Sequence, residues 1–293
     1  GDITIHSYIG HEENVVIPAE INGRKVKSIA QYAIQYSPEM KTLTISEGVE
    51  KIASLFVNWA PNLVKVSLPT SAGLYSASSG SFHTGISGFI QQCESLEVIE
   101  VPKENPYLAV VDGALYDKSL TTLITYPAGS KTECVKIPEG VTTISSDAFE
   151  CNQYLKKVVF PDSVVEIDYW AFNGCSALEE INIPKNCKFI GQFAFCGTSI
   201  KHIKIPATVV DAIFGESFMG SPVETIEVEE GNPYYRVENG ALYAENNLIM
   251  YEVGSRRSEF VVPEGTEFIW DGAFYGASNL KKVTIASTVK RIE

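Results

Sequence analysis

The chain is 293 residues long, 45% apolar and 20% charged, a composition that folds around a buried core and excludes an intrinsically disordered chain. Acidic side chains outnumber basic ones 36 to 23, and a net charge of −13 with no Lys/Arg cluster repels phosphate backbones, so nucleic acid is excluded as a partner. The longest unbroken apolar run, Tyr107 to Val111, falls far short of the roughly 18 residues that span a bilayer, so no transmembrane segment is expected.

Taken in chain order, the sequence opens on Gly1-Asp2 rather than methionine and carries no information on export. A frame then begins with Val16-Ile17-Pro18, followed by Ile29 and Ala33. It returns as Leu43-Thr-Ile45 with Val49, Ile52 and Phe56, and again as Leu63, Val66 and Leu68-Pro69. A Ser/Gly-rich insertion, 70–88, follows, and it makes the interval from Pro69 to Leu96 ten residues longer than the equivalent Pro161 to Leu178. An insertion on the rim of a repeat array is either a place for partner contact or a tolerated loop, and Tyr75, Phe82 and His83 are its chemically distinctive residues.

Next comes Asn105-Pro-Tyr107 with Asp112-Gly113-Ala-Leu-Tyr116, and the block recurs 127 residues later as Asn232-Pro-Tyr234 with Asn239-Gly240-Ala-Leu-Tyr243. Asp-Gly and Asn-Gly between apolar runs predict two-residue hairpin turns, so 105–131 and 232–256 read as duplicated hairpin-bearing units. Between them the frame is clearest. Leu155-Lys-Lys-Val158-Val-Phe160-Pro161 is followed by Leu178 to Pro184 and Ile200 to Pro206, with prolines 23 and 22 residues apart. A second apolar pair and an Ala-Phe step follow each proline, and Phe149, Phe172, Phe195 and Phe218 are spaced 23 residues apart. Val261-Val262-Pro263, Ile269 and Ala273-Phe274 continue the frame to Lys290-Arg-Ile-Glu293, where the last coil stops before its Ala-Phe step; an uncovered end predicts weak end-to-end self-association.

A repeat this short cannot bury its own apolar face, so the coils must stack. Period-2 alternation in Val158-Val159-Phe160 marks a strand, proline ends it for want of an N–H, and in-register stacking predicts one continuous parallel sheet. The outward column of that sheet contains Thr42, Thr44, Lys65, Ser67, Val98, Glu100, Lys157, Val159, Glu180, Asn182, His202, Lys204, Thr225, Glu227, Lys282 and Thr284. Of these Lys65, Lys157, Glu180, Asn182, His202, Lys204, Thr225 and Glu227 are candidate partner contacts, although a merely solvated face is an equal reading. Trp59, Trp170 and Trp270 adjoin the Ala-Phe steps and read as core packing.

The four histidines have no metal-ligand spacing, and neither a nucleophile elbow nor a P-loop occurs, so no catalytic residue, metal site or cofactor is assigned. Glu179 and Glu180 are adjacent in sequence and are expected on opposite sides of an extended chain, unlike the convergent carboxylates of a glycosidase. Cys151, Cys175 and Cys196 trail repeat-equivalent phenylalanines and read as small buried hydrophobes, with a disulfide between coils as the alternative.

The recurrent I-P, V-x-x-I and A-F-x-x-C frame, the opening Ile17-Pro-Ala-Glu-Ile-Asn-Gly23 and the Asn-Pro-Tyr block together resemble the BspA-like bacterial leucine-rich-repeat family across nearly the whole chain. Phe56-Val-Asn-Trp59 and the 70–88 insertion depart from the frame. The resemblance implies a leucine-rich-repeat solenoid, β-rich within the α/β class. It would be a right-handed superhelix of about 22- to 23-residue coils in one domain, 1–293, with short helical turns at the Ala-Phe steps and two inserted hairpins. It also implies a secreted or surface-anchored bacterial protein, non-enzymatic, that binds a protein such as one of the host extracellular matrix. A passive stalk displaying another domain, and a carbohydrate-binding module using exposed aromatics such as Tyr75, Trp59 and Tyr275, are the alternatives.

Overall fold

The computed structural model describes residues 1–75, 88–212 and 214–293; the candidates Phe82 and His83 lie outside them. The chain falls into two compact units, one formed by Gly1–Lys131 with Gly140–Tyr154 and the other by Thr132–Glu139 with Leu155–Glu293. Each is a stack of solenoid coils with almost no helix.

In the first unit Asn14–Ile17, Thr42–Ile45, Lys65–Ser67 and Val98–Glu100 pair in parallel, in register. Val15, Ile17, Leu43, Ile45, Val66 and Ile99 face the core while the alternate residues face out. The apolar pair after each proline does not join this sheet. It forms a second parallel ladder, Ile3–Ile5, Arg24–Ile29, Lys51–Ala53 and Gly73–Tyr75. A third ladder follows the Ala-Phe step, Ile34–Gln35, Val57–Asn58 and Ile90–Gln91. The expectation of one sheet is thus corrected to several: proline breaks the strand, the chain turns, and each side of the coil hydrogen-bonds to the same side of the next.

The second unit repeats the plan. Cys134–Lys136, Lys157–Val159 and Glu180–Ile181 form one sheet. His202–Ile205 pairs with Thr225–Val228, and Glu259–Val261 with Lys282–Thr284. Glu166–Ile167, Phe189–Ile190 and Asp211–Ala212 make the second ladder. Inside the coils Phe195 stacks between Phe172 and Phe218, with ring centroids 5.3 and 4.9 Å away.

Both duplicated blocks are hairpins, Leu108–Val111 with Ala114–Asp117 and Tyr235–Glu238 with Ala241–Ala244. Positive φ at Asp112-Gly113 and Asn239-Gly240 gives the turn whose twist matches the flanking strands. A third antiparallel strand, Thr122–Thr125 or Asn247–Tyr251, pairs in parallel with the next coil and so hands the hairpin back to the solenoid.

The Ala-Phe steps are turns; the only helical turn among the described residues is Phe214–Ser217. Two positions per step adopt left-handed backbone. The first, before the alanine, is held by Asp147, Trp170, Phe193 and Gly272; the second, two residues after the phenylalanine, by Cys151, Gly174, Gly197, Gly220 and Gly276. In the N-terminal coils the second position is occupied by Tyr36, Trp59 and Gln92. This overturns the core reading of the tryptophans: Trp59 and Trp170 are each 38% exposed and Trp270 43%, because alanine and phenylalanine already fill the interior. No disulfide joins the six cysteines, and Cys93, Cys175 and Cys187 are buried. Cys151, Cys175 and Cys196 lie at different offsets from their phenylalanines and therefore do not share one ladder column.

Candidate functional site

The sheet that begins each coil is held by a recurring pair of hydrogen bonds. Glu179 N–H and Glu180 N–H donate to the Lys156 carbonyl, both at 3.1 Å, and Glu224 and Thr225 donate to the Lys201 carbonyl at 2.7 and 3.1 Å. The series stops between these two rungs. Among the described residues no backbone N–H of Lys201 or His202 reaches the Glu179 carbonyl, and Glu180–Ile181 does not pair with His202–Ile205. The inter-coil bond is instead made earlier, from Ser199 N–H to the Leu178 carbonyl at 2.9 Å. The turn entering this coil, Ala194 to Ile200, is one residue shorter than Ala171 to Leu178, so the chain arrives at the sheet out of phase.

Where the ladder breaks, the sheet face opens into a shallow groove of about 240 Å³. Lys157, Glu180, Asn182, His202, Lys204, Thr225 and Glu227 line it, so the structure brings together seven of the candidates that sequence placed in one column. Glu179 lines it too, against the expectation that it turns away from Glu180; it precedes the strand and is not bound by its alternation.

Most charges on this face are matched along the stack. Lys157 pairs with Glu180, which holds the Lys157 ammonium above its ordinary pKa. Lys204 pairs with Glu229 at 3.1 Å, and that ammonium, with the Ala207 N–H, holds the Glu229 carboxyl below its ordinary value. His202 Nδ1 is 2.7 Å from Thr225 Oγ1. Asn182 and Glu227 make no side-chain hydrogen bond or ion pair among the described residues, and they are exposed. The groove therefore offers an amide, a carboxylate and the uncovered Glu179 carbonyl, a set suited to a partner's donors rather than to proton transfer.

The remaining candidates stand in the first unit. Lys65 pairs with Glu100 at 2.7 Å on an intact ladder, and Ser67 Oγ donates to the same carboxylate at 2.8 Å. Tyr75 ends its strand beside Tyr107, at a hollow of about 620 Å³. No cluster of three or more His, Cys, Asp or Glu side chains among the described residues is arranged to hold a metal ion, and no described helix is long and apolar enough to cross a membrane.

Stacked coils with parallel ladders, inward aliphatic positions and a stacked phenylalanine spine define a leucine-rich-repeat solenoid. The family model of the BspA type leucine-rich-repeat region matches residues 13–128, 125–249 and 251–293, and the chain belongs to that family. No curated protein matches the chain. The crystal structure of the pneumococcal vaccine antigen PcpA is similar, with a TM-score of 0.68 and 22% identity over 94% of this chain and 67% of that one. A leucine-rich-repeat protein from Bacteroides ovatus is 22% identical over 95% of this chain and 70% of its own, with a TM-score of 0.47. At 22% identity the likeness to PcpA is one of fold.

Proposed function

We propose that this chain is a non-enzymatic module of a secreted or surface-anchored bacterial protein, and that it binds a protein partner, such as one of the host extracellular matrix, at the broken ladder of the second unit. The observation that carries this reading is the interruption itself. The ladder is interrupted again between Thr225–Val228 and Glu259–Val261, where the second hairpin unit is inserted, but this break falls between two plain repeats and leaves a carbonyl, an amide and a carboxylate beside a groove. Membership of a repeat family whose pneumococcal neighbour is a vaccine antigen supports the surface location.

The test is a surface-plasmon-resonance panel of immobilised matrix proteins, with Asn182→Arg and Glu227→Arg as site variants and Lys65→Glu as the control on an intact ladder. The expected result is saturable binding that each site variant weakens by about tenfold or more, with the control close to wild type. Absence of saturable binding to any panel protein, or equal loss in the control, overturns the assignment and favours a passive stalk, the reading that the paired Lys65–Glu100 rung on the intact ladder supports.

A further inference from the structure

The second left-handed position of each Ala-Phe step is a natural site for glycine, which adopts positive φ without steric cost; Gly174, Gly197, Gly220 and Gly276 fill it in the second unit. In the first unit the same position carries Tyr36 at φ 51° and Trp59 at φ 63°. Positive φ in a bulky aromatic residue is a strained outlier, and neither ring offsets the strain by full burial. Tyr36 is 70% exposed and Trp59 38%, and the two rings contact each other with centroids 5.6 Å apart and planes tilted by 48°.

The residue preceding each ring is an amide. Gln35 and Asn58 pair in register on adjacent coils, and Gln91 continues the column. Gln35 Nε2 is bound to the Tyr32 carbonyl at 2.9 Å, which leaves its Oε1 as an acceptor, and the Asn58 side chain makes no hydrogen bond among the described residues. Gln91 Nε2 donates to Asp147 at 3.3 Å and is followed by Gln92 rather than an aromatic residue, so the amides that adjoin the two rings are those of Gln35 and Asn58. No Asp, Glu, Lys or Arg occurs in 28–38 or 52–64, and the carboxylates of the adjacent coil, Asp147 and Glu150, accept from Gln91 Nε2 and the Gln92 N–H. The Trp170–Phe193 stack of the second unit differs in this respect, with Asp168 two residues before Trp170.

Exposed aromatic faces beside amides with hydrogen-bonding capacity to spare, and with no charged residue in their own segments, match the chemistry of a neutral sugar: a C–H face that packs on a ring and hydroxyls that both donate and accept. A charged glycan would meet no counter-charge here, and an apolar peptide would bury the amides unpaired. We infer that Tyr36, Trp59, Gln35 and Asn58 form a binding site for a neutral oligosaccharide, separate from the groove and independent of the protein-binding reading.

The experiment uses the full chain and a panel of uncharged β- and α-linked glucose, mannose and galactose hexasaccharides, with a hyaluronan hexasaccharide as the anionic comparison, followed by calorimetry on any hit. Tyr36→Gly and Trp59→Gly are the informative variants, because glycine fits the left-handed backbone and the fold should be kept; circular dichroism and the melting temperature confirm it. The expected result is saturable binding of at least one neutral hexasaccharide, weakened by about tenfold or more in each glycine variant and in Asn58→Ala, with melting temperatures near wild type and no binding of hyaluronan. No binding of any neutral hexasaccharide at millimolar concentration, binding unaffected by the three variants, or preference for hyaluronan overturns the proposal. Asn182→Arg should leave sugar binding unchanged, so failure of the groove assignment is read separately.

Discussion

Asn105 shows how much one side chain does in this fold. It is fully buried, donates through Nδ2 to the carbonyls of Pro69 at 3.0 Å and Ala72 at 2.8 Å, and accepts through Oδ1 from the N–H groups of Tyr107 and Leu108 at 2.8 and 2.9 Å. Asn232 makes the equivalent four bonds, to Pro206, Val209, Tyr234 and Tyr235. The side chain caps the turn of one coil while opening the hairpin of the next, work that no carboxylate can do because two of the four contacts need donors. Asn105→Ala leaves buried backbone groups unpaired and is expected to cost about 3 kcal/mol in urea unfolding, with Asn105→Asp no better. A loss below about 1 kcal/mol would show that water replaces the side chain. The Asn-Pro-Tyr repeat was legible in sequence as a unit, but the role of its asparagine was not, since the carbonyls it binds lie 33 and 36 residues away.

At the scale of the element, the phenylalanine spine is where periodicity translates most directly into packing. The 23-residue spacing of Phe172, Phe195 and Phe218 becomes a stack because every coil contributes the same position to the same interior column. Phe195→Ala removes a ring with a neighbour on each side and is expected to destabilise the second unit by roughly 3–5 kcal/mol, whereas Val159→Ala on the outward face should change stability by less than about 1 kcal/mol. Denaturant titration of both variants decides between them, and equal effects would contradict the inward assignment of the spine. The strands themselves were readable from the same periodicity, but the side ladders were less so: two-residue pieces such as Phe189–Ile190 carry too little alternation to be told from a turn. The break after Glu180–Ile181 left one visible trace, the 22-residue interval between Pro184 and Pro206 among intervals of 23, and its consequence depends on which hydrogen bond the chain gives up.

For the whole molecule, the surface carboxylates set the response to acid. Hydrogen bonding from Lys27 holds Glu50 below its ordinary value, Lys65 and then Ser67 do so for Glu100, and Lys204 does so for Glu229. A carboxyl depressed in the folded state contributes stability in full above its unfolded pKa, and the contribution is lost as pH falls through the folded value. In the opposite direction, burial pushes the Cys93, Cys151 and Cys187 thiols up to about 12, so the folded state is disfavoured as pH rises past the ordinary value of 9.0. The melting temperature is therefore expected to be flat between about pH 5 and 8 and to decline below about pH 4.5 and above about pH 9. A melting temperature that rises on acidification from pH 5 to 3 would show that relief of the net negative charge outweighs the ion pairs.

The repeat, its strand and proline register, the two hairpins and the outward column were legible in the order of residues, because each is a local pattern that a repeat copies and stacking then enforces. Stacking of the coils settles which outward residues meet at a gap, that the apolar pairs form ladders of their own, and that Trp59 stands outside rather than in the core. These depend on where a hydrogen bond fails or a φ angle changes sign, and neither is written in the apolar periodicity of a single coil.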